Sequence, residues 1–340
     1  MRRITLLFLI AFSLFSVNSH AQQYTIQILD STHAISIRGL SVVDNNTIWV
    51  SGSKGSVAKS TNGGTNFEWY TVKGYEQRDF RDIAAFDSNN AVIIAVAEPA
   101  IILRTKDGGQ TWKKVFEDTT KGMFLDAMDF NNKGYGVVIG DPINNNLFKA
   151  FTVDYGNSWI SLHMVDPGMQ LKDGEAFFAS SGTNVVATNN KNNPFIYTTG
   201  GKTSRLIYKD AFYNLNLLSN KESTGANSIA LAPDGKNAIV VGGDFADDKN
   251  AEQNCILVQL NKQPVFTVPE TGPHGYRSCV AYINNKQLIS CGTSGVDISA
   301  DGGKNWQLIS GHSFHVCQKA KNGNAVFLAG ANGVIARLQY

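Results

Sequence analysis

Three observations predict an all-β chain, a seven-bladed β-propeller of four-stranded antiparallel blades. A turn motif returns every 45–47 residues, apolar segments of strand length lie between its copies, and turn residues stand wherever those segments stop. The motif reads Thr105-Lys-Asp-Gly-Gly-Gln-Thr-Trp112, Thr152-Val-Asp-Tyr-Gly-Asn-Ser-Trp159 and Ser299-Ala-Asp-Gly-Gly-Lys-Asn-Trp306. Weaker forms stand at Ser60-Thr-Asn-Gly-Gly-Thr-Asn-Phe67 and Tyr197-Thr-Thr-Gly-Gly-Lys-Thr203. Each has a side chain able to accept backbone N–H bonds, and most carry a glycine pair able to take positive φ; an aromatic anchors all but the last. The spacing from Gly200 to Gly302 is 102 residues, two periods with one copy lost.

The N-terminus comes first in the chain and reads separately. Met1-Arg2-Arg3 precedes an apolar run over residues 4–17, and Ser19-His20-Ala21 supplies small residues at a cleavage site, so residues 1–21 read as a secretory signal. About 14 apolar residues are too few for a span of roughly 20. The mature protein, 22–340, is expected to be periplasmic or secreted, a single propeller domain, monomeric and without a membrane span. Without Arg2 and Arg3 the 30 basic residues become 28, equal to the 28 acidic ones, which argues against nucleic acid as a partner.

Tyr24-Thr-Ile-Gln-Ile-Leu-Asp30 is a lone alternating strand ahead of the first unit. Seven second strands then follow: Ile48-Trp-Val-Ser-Gly52, Val92-Ile-Ile-Ala-Val96, Gly136-Val-Val-Ile-Gly140, Val185-Val-Ala187, Ala238-Ile-Val-Val-Gly242, Gln287-Leu-Ile-Ser-Cys-Gly292 and Val326-Phe-Leu-Ala-Gly330. The seventh unit has room for three strands, so the N-terminal strand, about 24–30, is expected to complete it and close the ring. Four cysteines, Cys255, Cys279, Cys291 and Cys317, allow three pairings. Cys279 and Cys291 flank a hairpin near Asn285 and either bridge or remain buried apolar residues.

In such a ring the inner strands start at the face where the second strands end, and the repeated turns lie on the opposite face as scaffold. Aligned inner strands bring Arg38, Arg81, Asp82, Asp126, Glu175, Arg277 and His315 to the mouth of the central channel, with Glu98, Asp141 and Asp244 on second-strand ends beside them. Charges of both signs in a concavity mark a candidate ligand site. Their competing role is structural, as ion pairs between neighbouring inner strands, such as Arg81 with Asp126 or Arg277 with Glu175.

The repeated motif is similar to the Asp-box, or bacterial neuraminidase repeat, shared with sialidases. That resemblance implies an alternative, a glycoside hydrolase with Tyr276 and Glu175 as nucleophile pair and Asp82 or Asp126 as acid. Its arginine-bearing opening segment is matched only by Phe80-Arg-Asp-Ile83, which lacks the proline. Over residues 35–340 the chain resembles more closely the photosystem II stability and assembly factor family, at Ile37-Arg-Gly-Leu-Ser41, Trp49-Val-Ser-Gly-Ser-Lys-Gly55, Glu98-Pro-Ala100 and Gly140-Asp-Pro-Ile143. This implies an exported, non-catalytic propeller that binds a partner protein or a small anionic or glycan ligand. No dinucleotide fingerprint, Cys-x-x-Cys or haem-attachment motif is present, so no cofactor is expected. His274, His312 and His315 fall on adjacent loops where three histidines would ligate Zn²⁺. Loop histidines more often hydrogen-bond than ligate, and no metal is expected.

Overall fold

The computed structural model describes residues 23–96, 98–162 and 169–340; the leader expected at 1–21 lies outside the described residues. Seven blades form the propeller. Their inner strands are Ile37–Val42, Phe80–Ala85, Leu125–Phe130, a divided strand in blade 4 (Glu175–Ala176 and Val185–Ala187), Thr224–Leu231, Cys279–Tyr282 and Val316–Lys319. Five blades are separate four-stranded sheets, and blades 4 and 5 join into one sheet through the pairing of Gly200 with Gly225. Second strands such as Ala91–Ala95 are buried along their whole length because blades stack on both of their faces. This explains why they read as unbroken apolar runs. The core is therefore a series of apolar layers between adjacent blades, as where Trp49 and Leu103 pack between blades 1 and 2. No helix among the described residues is long and apolar enough to cross a membrane.

Thr25–Asp30 pairs antiparallel with Ile335–Gln339, Thr25 opposite Gln339, and so supplies the outer strand of blade 7. The turn between third and fourth strands repeats one bonding scheme. The Gly109 N–H donates to Thr105 Oγ1 at 3.0 Å and the Thr111 N–H to Asp107 Oδ1 at 2.9 Å. The same two bonds recur at Gly156 and Ser158 and at Gly303 and Asn305; in blade 1 the Gly64 N–H donates to Ser60 Oγ and the Asn66 N–H to Asn62 Oδ1 in place of an aspartate.

Blade 4 departs from the expected reading in two ways. Val185–Ala187 belongs to its inner strand, and the second strand is Phe195–Gly201. The motif copy at 197–203 thus leads from second to third strand, while the blade's outer corner is Lys209-Asp210, both at positive φ. The cause is an eight-residue excursion, 177–184, between the two halves of the inner strand. Cys279 and Cys291 are register partners, as the hairpin suggested, yet all four cysteines are free and buried.

Candidate ligand site at the channel mouth

The first strands of four blades bulge at equivalent points: between Ile37 and Gly39, Phe80 and Asp82, Leu125 and Ala127, and Ala226 and Ser228. A bulge leaves one residue unpaired and re-aims its side chain. Those residues are Arg38, Arg81, Asp126 and Asn227. Into the channel beside them runs the blade-4 excursion, held by contacts to several blades. Arg38 Nη1 donates to Ser180 O at 3.2 Å, Ser180 Oγ to Asn227 Oδ1 at 2.9 Å, and Ser181 Oγ to Ser278 O at 2.7 Å. Residues 178–180 face the mouth, and 181–183 line a second cavity of about 270 Å³ toward the opposite face. The excursion acts as a plug.

Above the plug lies a cavity of about 370 Å³. Arg38, Arg81 and His315, from blades 1, 2 and 7, form one side; Phe178, Phe245 and Tyr276, from blades 4, 5 and 6, form the other. Phe245 is 51% exposed and stands edge-on to Phe178 and Tyr276, with ring centroids 5.9 and 6.3 Å away. No carboxylate lines this cavity among the described residues. Arg81 Nε is bonded to Asp79 at 2.8 Å, whereas Arg38 has no carboxylate partner among the described residues. Burial, and then the neighbouring Arg81 charge, lower the Arg38 pKa.

The other expected residues are placed elsewhere, and each has a stated partner. Arg277 is fully buried and uses all its donors within blades 5 and 6. Its Nε donates to Asp297 Oδ2 at 2.7 Å, Nη1 to Tyr276 O and Ser294 Oγ, and Nη2 to His274 O and Asp297. Glu175 faces into blade 4, where Arg205 Nε and Nη2 grip its two oxygens at 2.8 and 2.6 Å. The expected Arg277–Glu175 contact across the channel is therefore replaced by two pairs inside blades. Tyr276 and Glu175 are not neighbours; the Tyr276 hydroxyl donates to Asn227 Oδ1 at 2.8 Å, and burial pushes its pKa up to about 12. Asp82 accepts the amides of Ile83 and, across the blade boundary, Met128, both at 2.7 Å. It faces the lower cavity, and burial raises its pKa well above the usual range despite those amides.

Asp126 and Asp141 lie behind the plug, bonding the backbone amides of Ala179 and Phe177 respectively. Burial raises both pKa values, Asp141 to about 6, and Asp126 is raised further by the Asp141 charge. Glu98 is exposed and accepts the Gly122 amide at 2.7 Å, while Asp244 is buried against Lys221 Nζ at 3.1 Å. His274 bonds Asp297, His312 is exposed, and no group of three metal-ligating side chains converges among the described residues. Phe178, Ser180 and Thr293 were not expected at the mouth. The one signal for the first two was the turn-rich run Ser180-Ser-Gly-Thr-Asn184, which fits a hairpin turn equally well.

No protein-family model matches the chain, and no curated protein matches it. Solved structures do. The structure described as YCF48 bound to D1 peptide matches with a TM-score of 0.59 at 17% identity, covering 93% of this chain and 97% of its own. YCF48 from Cyanidioschyzon merolae gives 0.61 at 14%, covering 92% and 98%. What is shared is the propeller fold. The WD40 β-propeller domain of Doa1 gives 0.61 at 13%, covering 92% and 97%, so blade architecture alone accounts for likeness of this size. A shared fold does not carry a shared site, and the mouth's chemistry rests on its own residues.

Proposed function

We propose that this propeller is an exported, non-catalytic binding module that holds an anionic group of a partner protein, or a small anionic or glycan ligand, at its channel mouth. The observation that carries this reading is the cavity itself: two guanidinium groups converge on it, and among the described residues one has no carboxylate partner and no acidic side chain lines the walls. Planar guanidinium groups bind carboxylates through paired charge-assisted hydrogen bonds, and partial burial strengthens them. The half-exposed Phe245 beside them supplies an apolar anchor. The YCF48 neighbour is described as bound to D1 peptide, which supports a peptide as the occupant. A glycosidase needs two carboxyls about 5–10 Å apart flanking the scissile bond; Asp82 and Glu175 point away from the mouth and Asp126 lies behind the plug, so among the described residues this alternative has no acid there. Export rests on residues 1–21.

The test is retention of immobilised acidic peptides by the parent protein and by Arg38→Ala and Arg81→Ala variants. Loss of one charge-assisted contact should weaken binding about tenfold or more. Equal retention by all three proteins would sink the reading, and turnover of fluorogenic glycosides by the parent would favour the hydrolase.

A further inference from the structure

The charged half of the mouth explains why an anion would bind, but the remaining hydrogen-bonding groups constrain what must accompany it. His315 lines the cavity and is 7% exposed. Its Nδ1 lies 2.8 Å from the carbonyl oxygen of Ile37. A carbonyl only accepts, so Nδ1 carries the ring proton and Nε2 is left with a bare lone pair. Burial and the Arg38 charge lower the imidazole pKa to about 4, which keeps the ring neutral at physiological pH. Nε2 has no partner among the described residues. On the opposite wall, Asn227 Nδ2 donates to Gly225 O at 3.2 Å, which fixes its amide so that Oδ1 receives the hydroxyl hydrogens of Tyr276 and Ser180. Those hydroxyls therefore have no hydrogen left for a ligand.

The charge count narrows the anion. Of the carboxyls whose charge reaches the two arginines, Asp79 bonds Arg81 and Asp126 is driven toward its neutral form by burial, so the mouth carries one surplus positive charge, suited to a monoanion. Resting on the proposed anion site, we infer that the ligand is a carboxylate bearing a hydrogen-bond donor beside it, an amide N–H or a hydroxyl, which His315 Nε2 accepts. A carboxylate without a donor would cover that cavity-facing acceptor without pairing it, and sites built to hydrogen-bond a ligand discriminate strongly against the analogue lacking the group. The donor has two chemical sources, the last amide of a peptide chain or the hydroxyl of a hydroxy acid.

Calorimetric titration of the full chain with four probes separates these cases: N-acetylphenylalaninate, its N-methyl analogue, 3-phenyllactate and 3-phenylpropionate. The N–H or O–H probe is expected to bind about tenfold or more tightly than its donorless counterpart. Whichever of the two does so identifies the source. His315→Phe should erase the preference. Nitrogen-15 spectra of labelled histidine in the parent protein give a second readout that needs no variant. The Nε2 resonance should shift with the preferred probe and stay put with 3-phenylpropionate. Binding that depends on Arg38 but ignores the donor would overturn this inference and leave the anion site standing. No binding of any probe would overturn both.

Discussion

Arg38 and Arg277 both open an inner strand, and one position of register separates their roles. A Cβ on Gly52 would meet the backbone of Ser36 and Ile37, and one on Gly292 would meet that of Tyr276 and Arg277, so Arg277 is the counterpart of Ile37 and Ser278 that of Arg38. A one-residue slip turns a side chain to the opposite face. Arg38 thus reaches the channel, while Arg277 runs into its own blade and meets Asp297. The same scale holds two opposed titrations. Asp141 binds its proton more tightly folded (about 6) than unfolded (3.8), so it adds stability as pH falls through that window. His315 binds its proton less tightly folded (about 4) than unfolded (6.5), so the stability present above 6.5 is lost as pH falls toward 4. Denaturant midpoints measured across both windows should show Asp141→Asn losing ground against the parent at low pH and His315→Gln gaining it. Each difference should be on the order of 2 kcal/mol. Curves parallel to the parent's would contradict both assignments.

Among the elements, the plug gives the channel its floor. It depends on a close approach at Gly182, where φ is +68 and a Cβ would clash with the Asp82 carboxylate. Alanine there must either strain the backbone or push the plug from blade 2. We expect Gly182→Ala to cost about 1–3 kcal/mol and to raise amide exchange across 177–184, measured by mass spectrometry. Unchanged protection would mean that the plug is held without that contact. The sequence did not reveal this element because strand, turn and strand is the pattern of a hairpin as much as of an interrupted strand. Only the pairing of both halves with Phe195–Gly201 distinguishes them.

For the whole molecule, neighbouring blades are stitched by side chains that cap the next inner strand's amides. Gln318 caps Val42, Ser41 caps Ala85, Asp82 caps Met128, Asp129 caps Ala187 and Ser228 caps Val280. Asp82, an inner-strand charge that suggested chemistry, therefore holds the ring together, as Asp129 does, by accepting an amide rather than by pairing with an arginine. Closure falls to the N-terminal strand. Deleting residues 23–30 bares the edge of Ile335–Gln339, and should lower the melting temperature by about 5 °C or more and produce concentration-dependent self-association. A truncated chain that melts like the parent and stays monomeric by sedimentation would show that three strands suffice for blade 7.

The repeat, the seven units and the closing strand were legible in the sequence because turn chemistry and strand patterning are local properties, written within a few residues. The site was legible in part. Arg38, Arg81 and His315 stand where inner-strand alignment put them, whereas Glu175 and Arg277 found partners 30 and 20 residues away. Only the tertiary structure decided which charges are neutralised and which face the cavity. Those outcomes depend on bulge register and on groups as distant as Ser180 from Arg38, 142 residues apart, and no local pattern encodes such a meeting.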